Sequence, residues 1–322
     1  MIRLLAAVGL ILGMVVAMDR AVASWMGDTL LRSSDRFMTV YRQGPPADVV
    51  ILGNSRADNH FPVEEVQALT CGRVLNLGMG GAPTTLGDLL WEDYLDRHGA
   101  PRLLLVEPTS VVDDPMALAD LPLLAYYSER VDGFIRKADP TMWASNKLFN
   151  TLIFNNNQTI RLAFDGLHPT GDRTLSGTMS PFLKAQIETA PMERMEGFQP
   201  NWDALDRIIG TAREKGTRVA VVITPFFPGY IEKVSNFDAF FEDLKARLPP
   251  DVPVIDTRRA VADEAHFVDA LHINQEGVRL MLARMEDRLR PLADCPADTI
   301  PSPIPADAIA QLRTDTRTAA RP

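Results

Sequence analysis

The chain has only two cysteines and five histidines in 322 residues, and it carries no run of lysine or arginine. Two cysteines are too few for a cysteine-rich zinc site. The histidines show no convincing metal-ligand spacing, and no cofactor is implied. Without clustered cations, and with 33 basic against 42 acidic side chains for a net charge of −9, a nucleic-acid backbone is excluded as the main partner. What is present is an ordinary globular average, 46% hydrophobic and 23% charged. That rules out a wholly disordered, collagen-like or disulfide-scaffold protein.

Both ends depart from the average. Leu4 to Met18 is fifteen residues without a charge, preceded by Arg3 and followed by Asp19 and Arg20. As a helix it reaches about 22 Å, short of the roughly 30 Å hydrocarbon core, and Ala21-Val22-Ala23 supplies a small-x-small cleavage pattern; both features suit a cleaved signal peptide. The charges at Asp19 and Arg20, with Trp25, Met26, Leu30 and Leu31 beyond, suit an uncleaved anchor over residues 1–30. A buried N-terminal helix is the third reading. The first two export the remainder, to the periplasmic face of an inner membrane or, after cleavage near Ala23, as a soluble protein. Residues 294–322 are rich in Pro, Ala, Thr and Asp without apolar periodicity and read as a disordered tail. In an exported chain Cys71 and Cys295 could pair, but two independent thiols fit the sequence equally well.

Between the ends, strands are expected at Asp48–Gly53, Arg73–Leu77, Arg102–Glu107, Thr217–Thr224 and Val252–Asp256. They are near-continuous apolar runs, as expected where both faces of a parallel sheet are covered. Helical faces alternate with them: Val63/Val66/Leu69 after Pro62, Leu86/Leu89/Leu90/Tyr94 with Thr84 or Thr85 as N-cap, and Leu205/Ile208/Ile209/Ala212 closed by Gly216. Phe237/Phe240/Phe241/Leu244 and Val278/Met281/Leu282/Met285/Leu289 complete them. The pattern predicts a three-layer α/β/α sandwich on a five-stranded parallel sheet, one domain over residues 45–293. Residues 113–200 form an insertion with some helix of its own, beside the crevice at the carboxyl ends of the strands, where it would shape substrate access.

Three placements at that sheet edge carry possible chemistry. Gly53-Asn54-Ser55-Arg56 ends the first strand and displays a serine after a glycine that permits a sharp turn. Asn76-Leu77-Gly78-Met79-Gly80-Gly81 follows the second, where glycines let backbone amides approach an oxyanion. A dinucleotide fingerprint fails there, because Pro83 stands at the sixth position and the motif follows the second strand instead of the first. Asp269-x-x-His272 precedes the last helix, with a carboxylate placed to orient an imidazole that could take a proton from Ser55. Among the other histidines, His168 in Asp165-x-x-His168 competes as a base and otherwise lines the site. His60 contacts the loop near Ser55, His98 before Gly99 ends a helix, and His266 is exposed.

Together these residues resemble the SGNH (GDSL-like) hydrolase superfamily, whose fold is flavodoxin-like. Ser55 matches its first block, Gly81 in Asn76-x-Gly78-x-x-Gly81 its second and Asp269-x-x-His272 its fifth, over about Asp48 to Arg290. The Gly-x-Ser-Arg variant, with an N-terminal apolar segment, is most similar to exported proteins linked to alginate O-acetylation and teichoic acid D-alanylation. The resemblance implies an exported serine esterase or O-acyltransferase, expected to transfer acetyl groups on a polysaccharide beside an integral-membrane O-acyltransferase. It implies Ser55, His272 and Asp269 as the catalytic residues, with the Ser55 and Gly81 amides as oxyanion donors. Arg56, Thr109, Ser110 and His168 would line the substrate. One departure stands out: the third block should supply an asparagine, and Val106-Glu107-Pro108-Thr109-Ser110-Val111 has none. Thr109, Ser110 and the asparagines of the insertion are the candidates to replace it. Without a substitute the fold would serve a non-catalytic binding or assembly component, and an apolar acyl tunnel in the insertion would instead make it a lipase.

Overall fold

The computed structural model describes residues 1–117, 121–155, 159–160 and 173–296. His168, Pro169, Asn156 and Asn157, and the tail from residue 297, lie outside them. The chain divides into two compact units. One comprises Met1–Pro45, Glu92–Arg97 and Leu118–Thr170, the other Pro46–Trp91, His98–Ala117 and Gly171–Pro322.

The larger unit is built on five parallel strands, β1 (Val49–Leu52), β2 (Val74–Asn76), β3 (Leu103–Val106), β4 (Arg218–Ile223) and β5 (Val254–Asp256), in the order β2-β1-β3-β4-β5. This is the flavodoxin-like order, which reverses direction next to β1. Every residue of β1 and β3 is buried, because helices cover both faces of the sheet. Val49, Ile51, Leu103, Leu105, Ala220 and Val222 present one face to Val66 and Leu69 of the helix Val63–Thr70 and to Val278, Met281 and Met285 of the helix Gln275–Leu292. On the other face the helix Gln199–Glu214 packs on β4 through the stripe Leu205, Ile208, Ile209 and Ala212. Its C-terminus closes at Gly216, whose φ of +79° is reached without penalty only by a residue lacking Cβ.

Cys71 and Cys295 form a disulfide, which settles the pairing that the sequence left open. The closed loop of 224 residues ties the end of the helix Val63–Thr70 to the end of the last helix.

The smaller unit is organised on the helix Ile2–Leu31. Residues 1–18 are exposed along their whole length, and the helix buries only Asp19, Ala23 and Gly27, one residue in every four along a single face. Close packing there requires glycine: a Cβ on Gly27 would stand 2.4 Å from Cε1 of Tyr126. The Tyr127 hydroxyl donates to the Gly27 carbonyl at 2.8 Å, and Tyr127 stacks on Tyr41 with ring centres 5.4 Å apart. Asp19 accepts from the backbone N–H groups of Asn150 and Thr151 and from the Thr151 hydroxyl, at 2.8, 3.1 and 2.6 Å. Arg130, in the helix Glu129–Ala138, ion-pairs with Glu92, Asp93 and Asp96.

Candidate active site

β1 runs into the helix Ser55–His60 through Gly53 and Asn54. Gly53 sits at φ +151°, and a Cβ would lie 2.8 Å from both Ala57 and Glu107 Cβ. Only glycine lets β1 turn this sharply beside β3. Asn54 is the N-cap, its Oδ1 accepting from the Arg56 N–H at 3.0 Å, and Ser55 is the first helical residue. The Ser55 N–H therefore has no intrahelical carbonyl to meet.

The loop after β2 is held against this turn. The Met79 N–H donates to the Gly53 carbonyl at 3.1 Å, and Asn76 Nδ2 donates to the carbonyls of Ala57 and Phe61 at 2.8 and 3.0 Å, while its Oδ1 accepts from the Gly78 N–H. Gly78 lies so close to the nucleophile helix that a Cβ would stand 2.4 Å from the Asp58 nitrogen. Gly81 has a different reason for being glycine: it lies exposed at φ +68° with open space where a Cβ would be.

His272 arrives from the loop between β5 and the last helix. Its Nε2 lies 2.8 Å from Ser55 Oγ, and its Nδ1 lies 2.9 Å from Asp269 Oδ2. Asp269 also accepts from the backbone N–H groups of Leu271 and His272, at 2.8 and 2.9 Å, so the loop winds around its own carboxylate. Partial burial works to raise the Asp269 pKa, but the bonds from His272 and Leu271 outweigh it and hold the carboxyl below its ordinary value. A carboxylate on Nδ1 selects the tautomer with its proton there, leaving the Nε2 lone pair to accept from the serine hydroxyl.

Around this trio the structure departs from the sequence expectations at several residues. Arg56 does not line a substrate surface. It is fully buried, donating from Nε to Thr224 Oγ1, from Nη2 to the carbonyls of Thr224 and Pro225, and from Nη1 to the carbonyl of Leu271, with its Cζ 3.6 Å above the Phe226 ring. Its counterion is Glu107, equally buried, at 3.4 Å. The hydroxyls of Thr109 and Ser110 are likewise taken up internally: Thr109 donates to Glu107 Oε2 at 2.5 Å, and Ser110 bonds Thr84 at 2.9 Å. His60 is buried, accepting from the Ile273 N–H through Nε2 at 3.2 Å, and burial with the nearby Arg56 charge holds its pKa well below 6.5. It is a neutral support of the His272 loop. His266 is half-buried, not exposed, in a short 3₁₀ turn.

Asn54 and Asp113 were not singled out by the sequence reading. Asn54 Nδ2 donates to Asp113 Oδ2 at 2.8 Å and to Thr109 Oγ1 at 3.4 Å, tying the residue before Ser55 to the segment after β3. The legible signal was local, an asparagine at a helix start; its carboxylate partner 59 residues away was not. Burial, helped by the Glu107 charge, pushes the Asp113 carboxyl up to about 6. Between 3.8, its ordinary value, and about 6, the folded protein holds a proton that the unfolded chain has lost, so this group makes stability fall as pH rises across that window. Asp113→Asn removes the dependence. Denaturant titrations from pH 4 to 8 should show the variant gaining on the parent chain as pH rises from 4 to about 6 and keeping that gain above it; parallel curves would contradict the assignment.

No family model and no curated protein matches the chain. The solved structures to which it is similar include three bacterial proteins. The first, from Streptococcus pneumonia and provisionally described as a platelet activating factor, is 13% identical with a TM-score of 0.42, over 86% of this chain and 99% of that one. The second, from Bacteroides fragilis and provisionally described as an acylhydrolase, is 11% identical with a TM-score of 0.41, over 82% and 98%. The third, a GDSL-like lipase from Bacteroides thetaiotaomicron, is 10% identical with a TM-score of 0.34, over 76% and 87%.

Proposed function

We propose that the chain is an exported serine esterase or O-acyltransferase that moves an acyl group, acetyl in the preferred reading, to or from a hydroxyl of a cell-surface polysaccharide. One observation carries the reading: Ser55 Oγ stands 2.8 Å from His272 Nε2, with Asp269 2.9 Å behind the ring. Ser55 Oγ attacks the ester carbonyl while its proton passes to His272 Nε2. Asp269 keeps the Nδ1 proton in place and stabilises the imidazolium. The oxyanion accepts hydrogen bonds from the N–H groups of Ser55 and Gly81. Collapse breaks the ester C–O bond, and His272 returns the proton to the leaving alkoxide. Water or a sugar hydroxyl then attacks the acyl-serine, losing its proton to His272, and as the acyl C–O bond to Ser55 breaks His272 returns that proton to Ser55 Oγ.

The polysaccharide, the acetyl group and an integral-membrane O-acyltransferase partner rest on the resemblance read from the motifs. Export draws on the apolar N-terminal helix, and the anchored form is preferred over cleavage near Ala23. The rival, a binding or assembly component without catalysis, gains from the internal bonding of Thr109 and Ser110, which takes up both hydroxyls that could have replaced the absent asparagine. A fluorophosphonate probe separates the two. The proposal expects stoichiometric labelling at Ser55 and hydrolysis of p-nitrophenyl acetate in preference to long-chain esters. Absence of both under conditions where the protein is folded would leave the binding role, and a preference for long chains would turn the assignment toward a lipase.

A further inference from the structure

The apolar part of the N-terminal helix ends at Asp19, and at that point a second element is fastened to it. The turn Asn150–Phe154 places the backbone N–H groups of Asn150 and Thr151 and the Thr151 hydroxyl on the Asp19 carboxylate, and Arg20 Nη2 donates to the Lys147 carbonyl at 2.7 Å. Ile153 and Phe154 turn inward and are buried, Phe154 against Tyr126 with ring centres 5.2 Å apart. The neighbours turn outward: Leu148, Phe149 and Leu152 are 62, 39 and 41% exposed. Three large apolar side chains thus sit in the open beside the residue where the helix changes from wholly exposed to partly packed.

The dimensions match a bilayer edge. Crossing a hydrocarbon core of about 30 Å takes roughly twenty helical residues, so a helix entering at Ile2 leaves near Ala21. Asp19 then stands in the last turn before the headgroups. A carboxylate there needs its lone pairs satisfied by protein, because little water reaches it, and it has three donors from the turn. The turn is held at the same depth by those bonds, and beside it lie two partly exposed cations, Lys147 paired with Asp132 and Arg20 paired with Asp19.

We infer that Leu148, Phe149 and Leu152 form a membrane-interface foot, a second lipid contact that the Asp19 carboxylate locks to the anchoring helix. The inference rests on the anchored reading of the helix. It also explains why the helix is kept, since cleavage after Ala23 would remove Asp19 and leave the N–H groups of Asn150 and Thr151 without their acceptor. The occupant is the lipid bilayer.

The test uses the full chain in vesicles of phosphatidylethanolamine and phosphatidylglycerol. An environment-sensitive fluorophore is attached at F149C or L152C, the native cysteines being paired, with K137C on an exposed helical position as the aqueous control. At 149 and 152 the emission should shift to the blue and lose most of its intensity when nitroxide lipids are added, while the control stays water-like and unquenched. Water-like emission at both positions would overturn the foot, and a blue shift without nitroxide quenching would overturn the lipid assignment in favour of a protein cover. Alkaline carbonate extraction of the same vesicles reports the anchor separately: retention with silent labels sinks the foot alone, whereas release of the full chain sinks the anchored reading.

Discussion

Ser55→Ala is expected to lower kcat/KM for p-nitrophenyl acetate by about 10⁴- to 10⁶-fold while leaving the melting temperature within a degree or so of the parent. The size follows from what the substitution removes. Without Oγ there is no covalent route, and His272 can at best activate water from a position set for a serine. The serine itself contributes little to folding, since among the described residues its one side-chain bond is to His272. Asp269→Asn tests the same unit from behind. It replaces the acceptor at Nδ1 with a group that can donate, favours the wrong tautomer of His272, and should cost about 10⁴-fold in kcat. Because the three act as one unit, the double variant should be scarcely worse than Ser55→Ala alone. Additive losses, or activity that persists in Ser55→Ala, would remove the serine mechanism. Both single variants should be assayed alongside fluorophosphonate labelling, which Asp269→Asn slows and Ser55→Ala abolishes.

The second large effect concerns stability. Glu107→Ala is expected to destabilise the fold by about 3–5 kcal/mol, read as a lower denaturation midpoint with an unchanged slope. Glu107 and Arg56 are both fully buried, so removing the carboxylate strands a guanidinium in a low-dielectric interior. It also strips Thr109 of the acceptor for both its N–H and its hydroxyl. Glu107→Gln keeps an acceptor for Thr109 but not the charge, and should fall between. Activity should suffer as well, through geometry. Arg56 joins the ends of β3 and β4 to the Leu271 carbonyl, one residue before His272, and loss of its counterion loosens the loop that carries the base. A destabilisation below about 1 kcal/mol for Glu107→Ala would show that Arg56 is neutralised by some other route.

Arg56 illustrates what could and could not be read in advance. Its position immediately after the candidate nucleophile suggested a group facing substrate. Whether a side chain at the start of a helix turns outward or into the sheet edge depends on what the neighbouring strands present, and here they present three carbonyls, a carboxylate and a phenyl ring. None of those residues lies near Arg56 in the chain. Thr109 and Ser110 miscarried for the same reason, their hydroxyls being claimed by Glu107 and Thr84.

The sequence by itself determined the elements and their order. Apolar runs of strand length, helical faces at three- and four-residue spacing and the glycines at 53 and 216 are short-range matters, governed by backbone sterics and by which faces must leave water. The Asp269-x-x-His272 contact is also local, closing within four residues. Only the tertiary structure decided the rest. It brought Ser55 to His272 across 217 residues, paired Cys71 with Cys295, set Asp19 on Thr151 and buried Arg56 against Glu107. Each of these needs the strand order to put distant chain ends side by side, and each joins groups whose residue types fit many partners. Their choice was made by proximity, which no local pattern encodes.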